Sequence, residues 1–365
     1  MGSSRFPFVR PSLPEPEEWT PFLEPAYESG YFTNFGPVVS TFEREIAAEF
    51  PDRACVAVAN ATLGLTAALL ALRAHGPVVL PSFTFPATAH AVSLAGCNPV
   101  FCEVEADTWE LDPGALSQLV ATESPAAVVH VRAFGLCRDL SPIEQACEGV
   151  PLIVDAAAAL GGSVDGRAWV GGSGSCEVFS LHATKVFAIG EGGLVVGEPE
   201  LVEEVRRVIN FSLRDGDVAG PGLNAKLDEF AAARARAMLR RLESALERRR
   251  ALADRYNHAL QTGAVGHPAH PGRPPWQTYP VRLEKPELRP LVLRALAESG
   301  VDARAYYTPP LHRAAAFRAG GQLPVTEALS ASTVCLPVYS DADDAEQEEM
   351  TTAVRTALGG VLVAN

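Results

Sequence analysis

The sequence predicts an α/β protein, with a mainly parallel sheet in a large first domain and a smaller mixed α/β unit after it. Three observations carry this. From about residue 54 short β-branched runs alternate with longer helical patterns, some of those runs are apolar on both faces, and a Pro/Gly-rich stretch over residues 266–276 stops a long helix.

The alternation runs ACVAV, TLGLTAALLALRAHG, PVVL, PATAHAVSLAG, PVFCEV, LDPGALSQLV, AAVVHV, SPIEQACEG and PLIVDA. Strands and helices alternating at this spacing build crossover units and hence a parallel sheet. Runs such as PVVL and PLIV have no polar face, as expected of strands covered by helices on both sides. SCEVFSL and GLVVG follow as further strands, then helical patterns around 200–212 and from about Lys226 to Gln261. GHPAHPGRPPW cannot continue that helix, because proline removes a donor and clashes with the preceding turn. Beyond it TYPVRL, PELRPLVLRALAESG, VDARAYY, STVCLPVY and DADDAEQEEMTTAVRTAL make the second unit. We place an arm or poorly ordered tail at 1–20, the large domain at 21–235, and the long linking helix with the small domain at 236–365.

The bulk numbers narrow the function. With 365 residues, 47% of them apolar, the chain can bury a large core. A net charge of −14 and a pI near 5.1 speak against a nucleic-acid groove or an anionic membrane surface, both of which need clustered positive charge. No stretch approaches the roughly 20 apolar residues of a membrane span, and the N-terminal residues lack a signal-type apolar core. The expected compartment is the cytoplasm. Seven scattered cysteines, at Cys55, Cys97, Cys102, Cys137, Cys147, Cys176 and Cys335, show no metal-type spacing and read as small buried thiols. No metal site is expected.

Chemistry concentrates in a few positions. Lys185, in HATKVFAIGEGG, follows a strand-like run and precedes a glycine-rich turn that lets backbone approach a ligand. Alone it would be an ordinary surface lysine; in a desolvated loop it could become the neutral amine that an aldehyde cofactor requires. Asp155 ends the apolar run PLIVD, at the strand edge where open α/β sheets bind ligands. An ionised carboxylate there needs a cationic partner, although a helix N-cap would account for it equally well. VANATLGL passes from strand to helix at Asn60, Ala61 and Thr62, and a helix start is an anion site. Ser180, five positions before Lys185, could add a hydroxyl. Phe83 and Phe85 close the PVVL strand, either as core residues or as a face for a flat ring.

Taken together, ESGYFTNFGPVVSTFEREIAAEF, VANATLGLTAALLAL, VVLPSFTFPATAHAVSLAGCNPVFCEVEADTWELDP, IVDAAAALGG, FSLHATKVFAIGEGGLVV, YYTPPLH and LPVTEALSASTVCLPVYSD resemble the DegT/StrS family of sugar aminotransferases across nearly the whole chain. The resemblance implies a fold-type I enzyme with a mainly parallel seven-stranded sheet, using pyridoxal 5'-phosphate (PLP). It implies Lys185 as the Schiff-base lysine, Asp155 as partner of the pyridine nitrogen, Phe85 as the stacking ring, and Ala61, Thr62 and Ser180 as phosphate contacts. Asn224, in LNAKLDE, matches the asparagine that reaches the neighbouring subunit's cofactor phosphate, which implies a homodimer with shared active sites. Thr33, Asn34 and His312 fall where the family approaches its sugar. The implied reaction moves an amino group from glutamate or glutamine to a nucleotide-linked keto-deoxysugar, in antibiotic or cell-surface sugar biosynthesis. Amination of a keto-cyclitol, another PLP reaction on the same fold, and a non-enzymatic regulator are the competing readings. Four positions depart from the family pattern: Ala158 stands where Gln or His is usual, Arg132 where histidine is usual, and Ala225 and Lys226 replace an aromatic and an arginine.

Overall fold

A computed structural model describes residues 4–166, 169–261, 265–318 and 321–362. The chain opens with an extended arm, α1 (Pro16–Trp19), α2 (Glu24–Ser29) and α3 (Pro37–Ala47). Strand–helix alternation then gives β1 (Ala54–Val58), α4 (Ala61–Ala71), β2 (Pro77–Pro81), α5 (Pro86–Leu94), β3 (Asn98–Cys102), α6 (Pro113–Glu123), β4 (Ala127–Val131), α7 (Ser141–Ala146), β5 (Leu152–Asp155), β6 (Cys176–Ser180) and β7 (Gly193–Gly197). These seven strands form one sheet in the order β1-β7-β6-β5-β4-β2-β3. Only β7 runs against the others, pairing antiparallel with β1 and with β6.

Alternate residues along each strand feed two separate cores, which is why the strand sequences read as continuous apolar runs. Val79, Val128, Leu152 and Val154 pack with α3, α6, α7 and α9 (Glu229–Ala259), while Val78, Leu80, Val129 and Ile153 pack with α4, α5 and α8 (Pro199–Val208). A short hairpin, β8 (Leu213–Arg214) and β9 (Asp217–Val218), lies between α8 and α9. All seven cysteines are free and buried.

The 31-residue α9 leaves the first core and enters a third, shared with β10 (Val265–Gly266), β11 (Tyr279–Leu283), α10 (Arg289–Glu298), β12 (Thr333–Leu336) and α12 (Asp344–Leu362); α11 (Pro324–Ser332) precedes β12. VDARAYY belongs to the second unit without forming a strand of its own. In the structure, Val301 and Arg304 make only isolated bridges, to Phe6 and Cys335. The described part of the N-terminal arm is fixed rather than loose: Phe6 is 2% exposed in the third core, and Arg10 pairs with Asp341 and Glu346. No described helix is long and apolar enough to cross a membrane.

Candidate active site

The carboxyl ends of the parallel strands share one edge of the sheet, where such sheets hold ligands. Asp155 is the last residue of β5 and Ser180 the last of β6. Antiparallel β7 starts at this edge with Gly193, in register with both Ser180 and Val58. The loop that turns β6 into β7 carries Lys185 and is tightly tied, with Ala183 N–H donating to Gly190 O (2.8 Å) and Ile189 N–H to Leu181 O (3.0 Å).

Lys185 and Asp155 line one cavity with Thr84, Phe85, Arg132, Ala158, Gln277, Thr278, Tyr306 and Tyr307. Lys185 Nζ donates to Gln277 Oε1 at 2.8 Å. Burial lowers the amine's pKa to about 8, with Asp155 pulling the other way. That brings the neutral form within reach near neutral pH.

Asp155 is 6% exposed. Its Oδ2 accepts from Thr88 Oγ1 (2.7 Å) and its Oδ1 from Ala157 N–H (3.1 Å). Burial still raises the carboxyl above its usual range, despite these bonds and the charges of Lys185 and His130. The N-cap alternative falls away, because no helix follows Asp155: residues 157, 158, 160 and 161 are turns, and Gly161 takes φ +80°. An under-compensated buried carboxylate at a ligand edge suits a cationic ring nitrogen.

The anion cradle is equally specific. Asn60 caps α4 by accepting from Leu63 N–H at 2.9 Å, which leaves the first-turn N–H groups of Ala61 and Thr62 for a ligand. A Cβ on Gly193 would stand 2.8 Å from Ala61 N, so only glycine lets β7 pass this close to the helix start. Ser180, 8% exposed, accepts from His182 N–H at 3.3 Å. The two phenylalanines divide: Phe83 is wholly buried among Trp109, Phe134 and Tyr307, whereas Phe85 is 57% exposed and walls the cavity. Together the carboxylate, the amine, the exposed ring and the helix start fit PLP: a ring nitrogen, an aldehyde, an aromatic face and a phosphate each find a matching group.

Ala61, Thr62 and Ser180 do not line this cavity themselves, and neither do Thr33, Asn34, Asn224 and His312. Thr33 and Asn34 are exposed in the loop before α3. Asn224 is exposed, with its Oδ1 accepting from Lys226 Nζ at 2.8 Å. His312 is buried, with both ring nitrogens engaged within this chain: it is 1% exposed, its Nδ1 lies 2.6 Å from Ser82 Oγ and its Nε2 3.1 Å from Glu327 Oε1. Arg132 is likewise buried and committed, with Nε 3.0 Å from Glu177 Oε2 and Nη1 3.0 Å from Arg138 O. Burial works against its charge, and Glu177, with Glu110 and Cys137 adding to it, more than offsets that.

Gln277, Tyr306 and Tyr307 are cavity residues that sequence reasoning left unassigned. Tyr306 and Tyr307 sit inside the quoted YYTPPLH, and a pair of aromatics beside a proline-rich turn was the available signal. Gln277 gave none.

The sequence model of the DegT/DnrJ/EryC1/StrS aminotransferase family matches residues 15–355. The chain belongs to this family. Among its relatives, Protein Rv3402c of Mycobacterium tuberculosis is 30% identical over 97% of this chain and 90% of its own length. The dTDP-4-amino-4,6-dideoxy-D-glucose transaminase of Escherichia coli is 27% identical over 94% of this chain and 96% of its own. The crystal structure of DesI in the presence of its TDP-sugar product superposes with a TM-score of 0.90 at 32% identity, covering 99% of this chain and 95% of that one. As a DegT/DnrJ/EryC1/StrS member the protein is a PLP-dependent aminotransferase, and the seven-stranded, mainly parallel sheet is the fold its relatives share.

Proposed function

We propose that the protein moves an amino group from glutamate or glutamine to the ketone of a nucleotide-linked deoxysugar, in antibiotic or cell-surface sugar biosynthesis. The observation that carries this reading is the convergence of Lys185, Asp155 and Phe85 on one cavity at the carboxyl edge of the sheet. The names of two relatives, a dTDP-sugar transaminase and DesI with its TDP-sugar product, support the substrate class.

PLP supplies an aldehyde that condenses with amines and a ring that takes up the electrons left on the donor carbon. The chain's own residues do the rest. Lys185 releases and regains a proton at Nζ, serving as base toward the donor's Cα hydrogen and then as acid, a task suited to an amine brought down to about 8. Asp155 would place a negative charge beside the ring nitrogen, and Thr88 and the Ala157 N–H hold that carboxylate still. Phe85 would cover one ring face, and Ala61, Thr62 and Ser180 would receive the phosphate. Return of the amino group to a keto sugar reverses the steps, giving ping-pong kinetics.

The same reading makes the enzyme a homodimer with shared sites. Asn224 faces outward, and Phe211, Leu213 and Val218 nearby are 48%, 44% and 62% exposed, an apolar face that a second copy would cover. In that arrangement Asn224 reaches the partner's phosphate, and Thr33 and Asn34 approach the sugar. The proposed domain division at residue 235 falls inside α9, whose side chains stay in the first core as far as Leu246 and join the third from Leu252.

The test supplies the purified protein with PLP, glutamate, and either a panel of nucleotide keto-deoxysugars or keto-inositols. We expect glutamate to convert the bound cofactor to its pyridoxamine form and a nucleotide sugar to convert it back, with Lys185→Ala inactive in both halves. Turnover of keto-inositols alone would replace the substrate class; undiminished turnover by Lys185→Ala would overturn the mechanism.

A further inference from the structure

We propose that Gln277 is a positioning residue for the reacting lysine: its side-chain carbonyl holds the Lys185 amine whenever that amine is not bonded to the cofactor. The 2.8 Å contact from Lys185 Nζ to Gln277 Oε1 is the amine's one side-chain hydrogen bond among the described residues. Among the described residues Gln277 is also the only side-chain amide lining the cavity, and Ala158 in the same lining offers no polar side-chain atom.

The residue is presented from behind with unusual firmness. Buried Arg249, 3% exposed and anchored to Ser340 Oγ at 2.6 Å, donates from Nη1 to Trp276 O (2.9 Å) and to Gln277 O (3.3 Å). On the other side Thr278 Oγ1 donates to Leu336 O at 2.6 Å. The backbone of Gln277 is therefore fixed independently of its side chain, so a substitution at this side chain leaves the clamp in place.

A neutral acceptor is the chemistry this position calls for. An aminotransferase must free its lysine, keep it close, and let it shed and regain a proton. A carboxylate at 277 would favour the charged amine and blunt it as a base; an apolar side chain would leave a flexible four-carbon stem unheld. An amide carbonyl accepts from the amine in either protonation state and takes no proton itself. The other ionisable groups facing the amine are Asp155, the Glu177-paired Arg132, Tyr306 and Tyr307; His182, on the same loop, is held by Thr184.

The test compares wild type with Gln277→Leu and Gln277→Glu. In cofactor-free protein, the pH dependence of Lys185 acetylation, read by mass spectrometry of its peptide, should move upward by about one unit or more in Gln277→Glu. In the loaded enzyme, Gln277→Leu should lower kcat about tenfold or more, the factor for losing a hydrogen bond to a charged group, with KM nearly unchanged. Melting temperature and PLP affinity should stay at wild-type values; if Gln277→Leu does not fold, Gln277→Asn, which keeps the amide and loses its reach, gives the same readout. Wild-type acetylation midpoint and kcat in both variants would overturn the inference. It rests on Lys185 carrying the cofactor, which borohydride trapping of PLP reads separately: trapping on another lysine sinks that premise, and normal trapping with unmoved variants sinks the Gln277 assignment alone.

Discussion

Asp155→Asn isolates the charge from the shape of the site. The substitution keeps an oxygen to accept from the Ala157 N–H, and the Thr88 hydroxyl, which also touches Thr84 Oγ1 at 2.9 Å, can turn to accept from the new amide. Little packing changes; the negative charge is gone. Two unit charges about 4 Å apart at an effective dielectric of about 20 interact by about 4 kcal/mol, so losing the partner of a protonated ring nitrogen should cut the rate by roughly a thousandfold. Stability of the cofactor-free protein should move the other way. Burial holds the folded carboxyl above its usual range, so ionising it costs folded-state stability. That cost is absent at low pH, where the acid is neutral in both states, and it grows as pH rises through the raised value. Cofactor-free Asp155→Asn should therefore melt at least as high as wild type near neutral pH and lose this part of the pH dependence, while gaining less from added PLP. The assays are melting curves across pH with and without PLP, and stopped-flow absorbance of the half reaction with glutamate. A variant within about threefold of wild-type rate, where roughly a thousandfold is expected, would refute the pairing of Asp155 with the ring.

Two further substitutions test the frame around the cofactor. Gly193→Ala places a methyl against backbone atoms, 2.8 Å from Ala61 N and 2.9 Å from Asn60 C, and overpacking of this kind costs about 1–3 kcal/mol. It should weaken PLP binding more than it lowers the melting temperature of the cofactor-free protein, and unchanged affinity by fluorescence titration would remove the phosphate from the start of α4. Glu229→Ala strips the cap of α3, where the carboxylate accepts from Val38 N–H (2.6 Å) and Val39 N–H (3.3 Å), at a cost of about 1–3 kcal/mol. The backbone bond from Glu229 N–H to Phe32 O (3.2 Å) survives the substitution, so the loop bearing Thr33 and Asn34 should loosen only through the uncapped start of α3, raising the acceptor-sugar KM without changing the glutamate half reaction. Equal effects on both half reactions would detach that loop from the sugar.

What the sequence revealed of the site is what local structure determines. Asp155 and Ser180 are strand ends and Ala61 begins a helix, so their place at one edge follows from a parallel sheet once the alternation is read. Lys185 follows because the chain must turn at that same edge to enter β7. Phe83 and Phe85 mark the limit of this reasoning. They stand in one short run after β2, yet one is wholly buried and the other 57% exposed, because the chain has left the strand and period-two alternation no longer assigns faces. His312 shows the limit from the other side: its place beside Ser82 follows from a contact across 230 residues, which no local pattern encodes.

Gln277 lies 92 residues from Lys185, and the two meet only because α9 carries the chain out of the first core and the segment before β11 returns it, clamped by Arg249, to the carboxyl edge. Neither composition nor periodicity encodes that return. The two sources of the site also differ in what they can change. Asp155 and the start of α4 are bound to strand ends, where moving a residue would unpair the sheet, so the cofactor-holding half is fixed by the fold. Tyr306 and Tyr307 sit on an irregular segment whose side chains can vary without breaking a ladder, so differences in substrate among proteins of this architecture should collect on that wall, while Gln277 stays tied to the lysine.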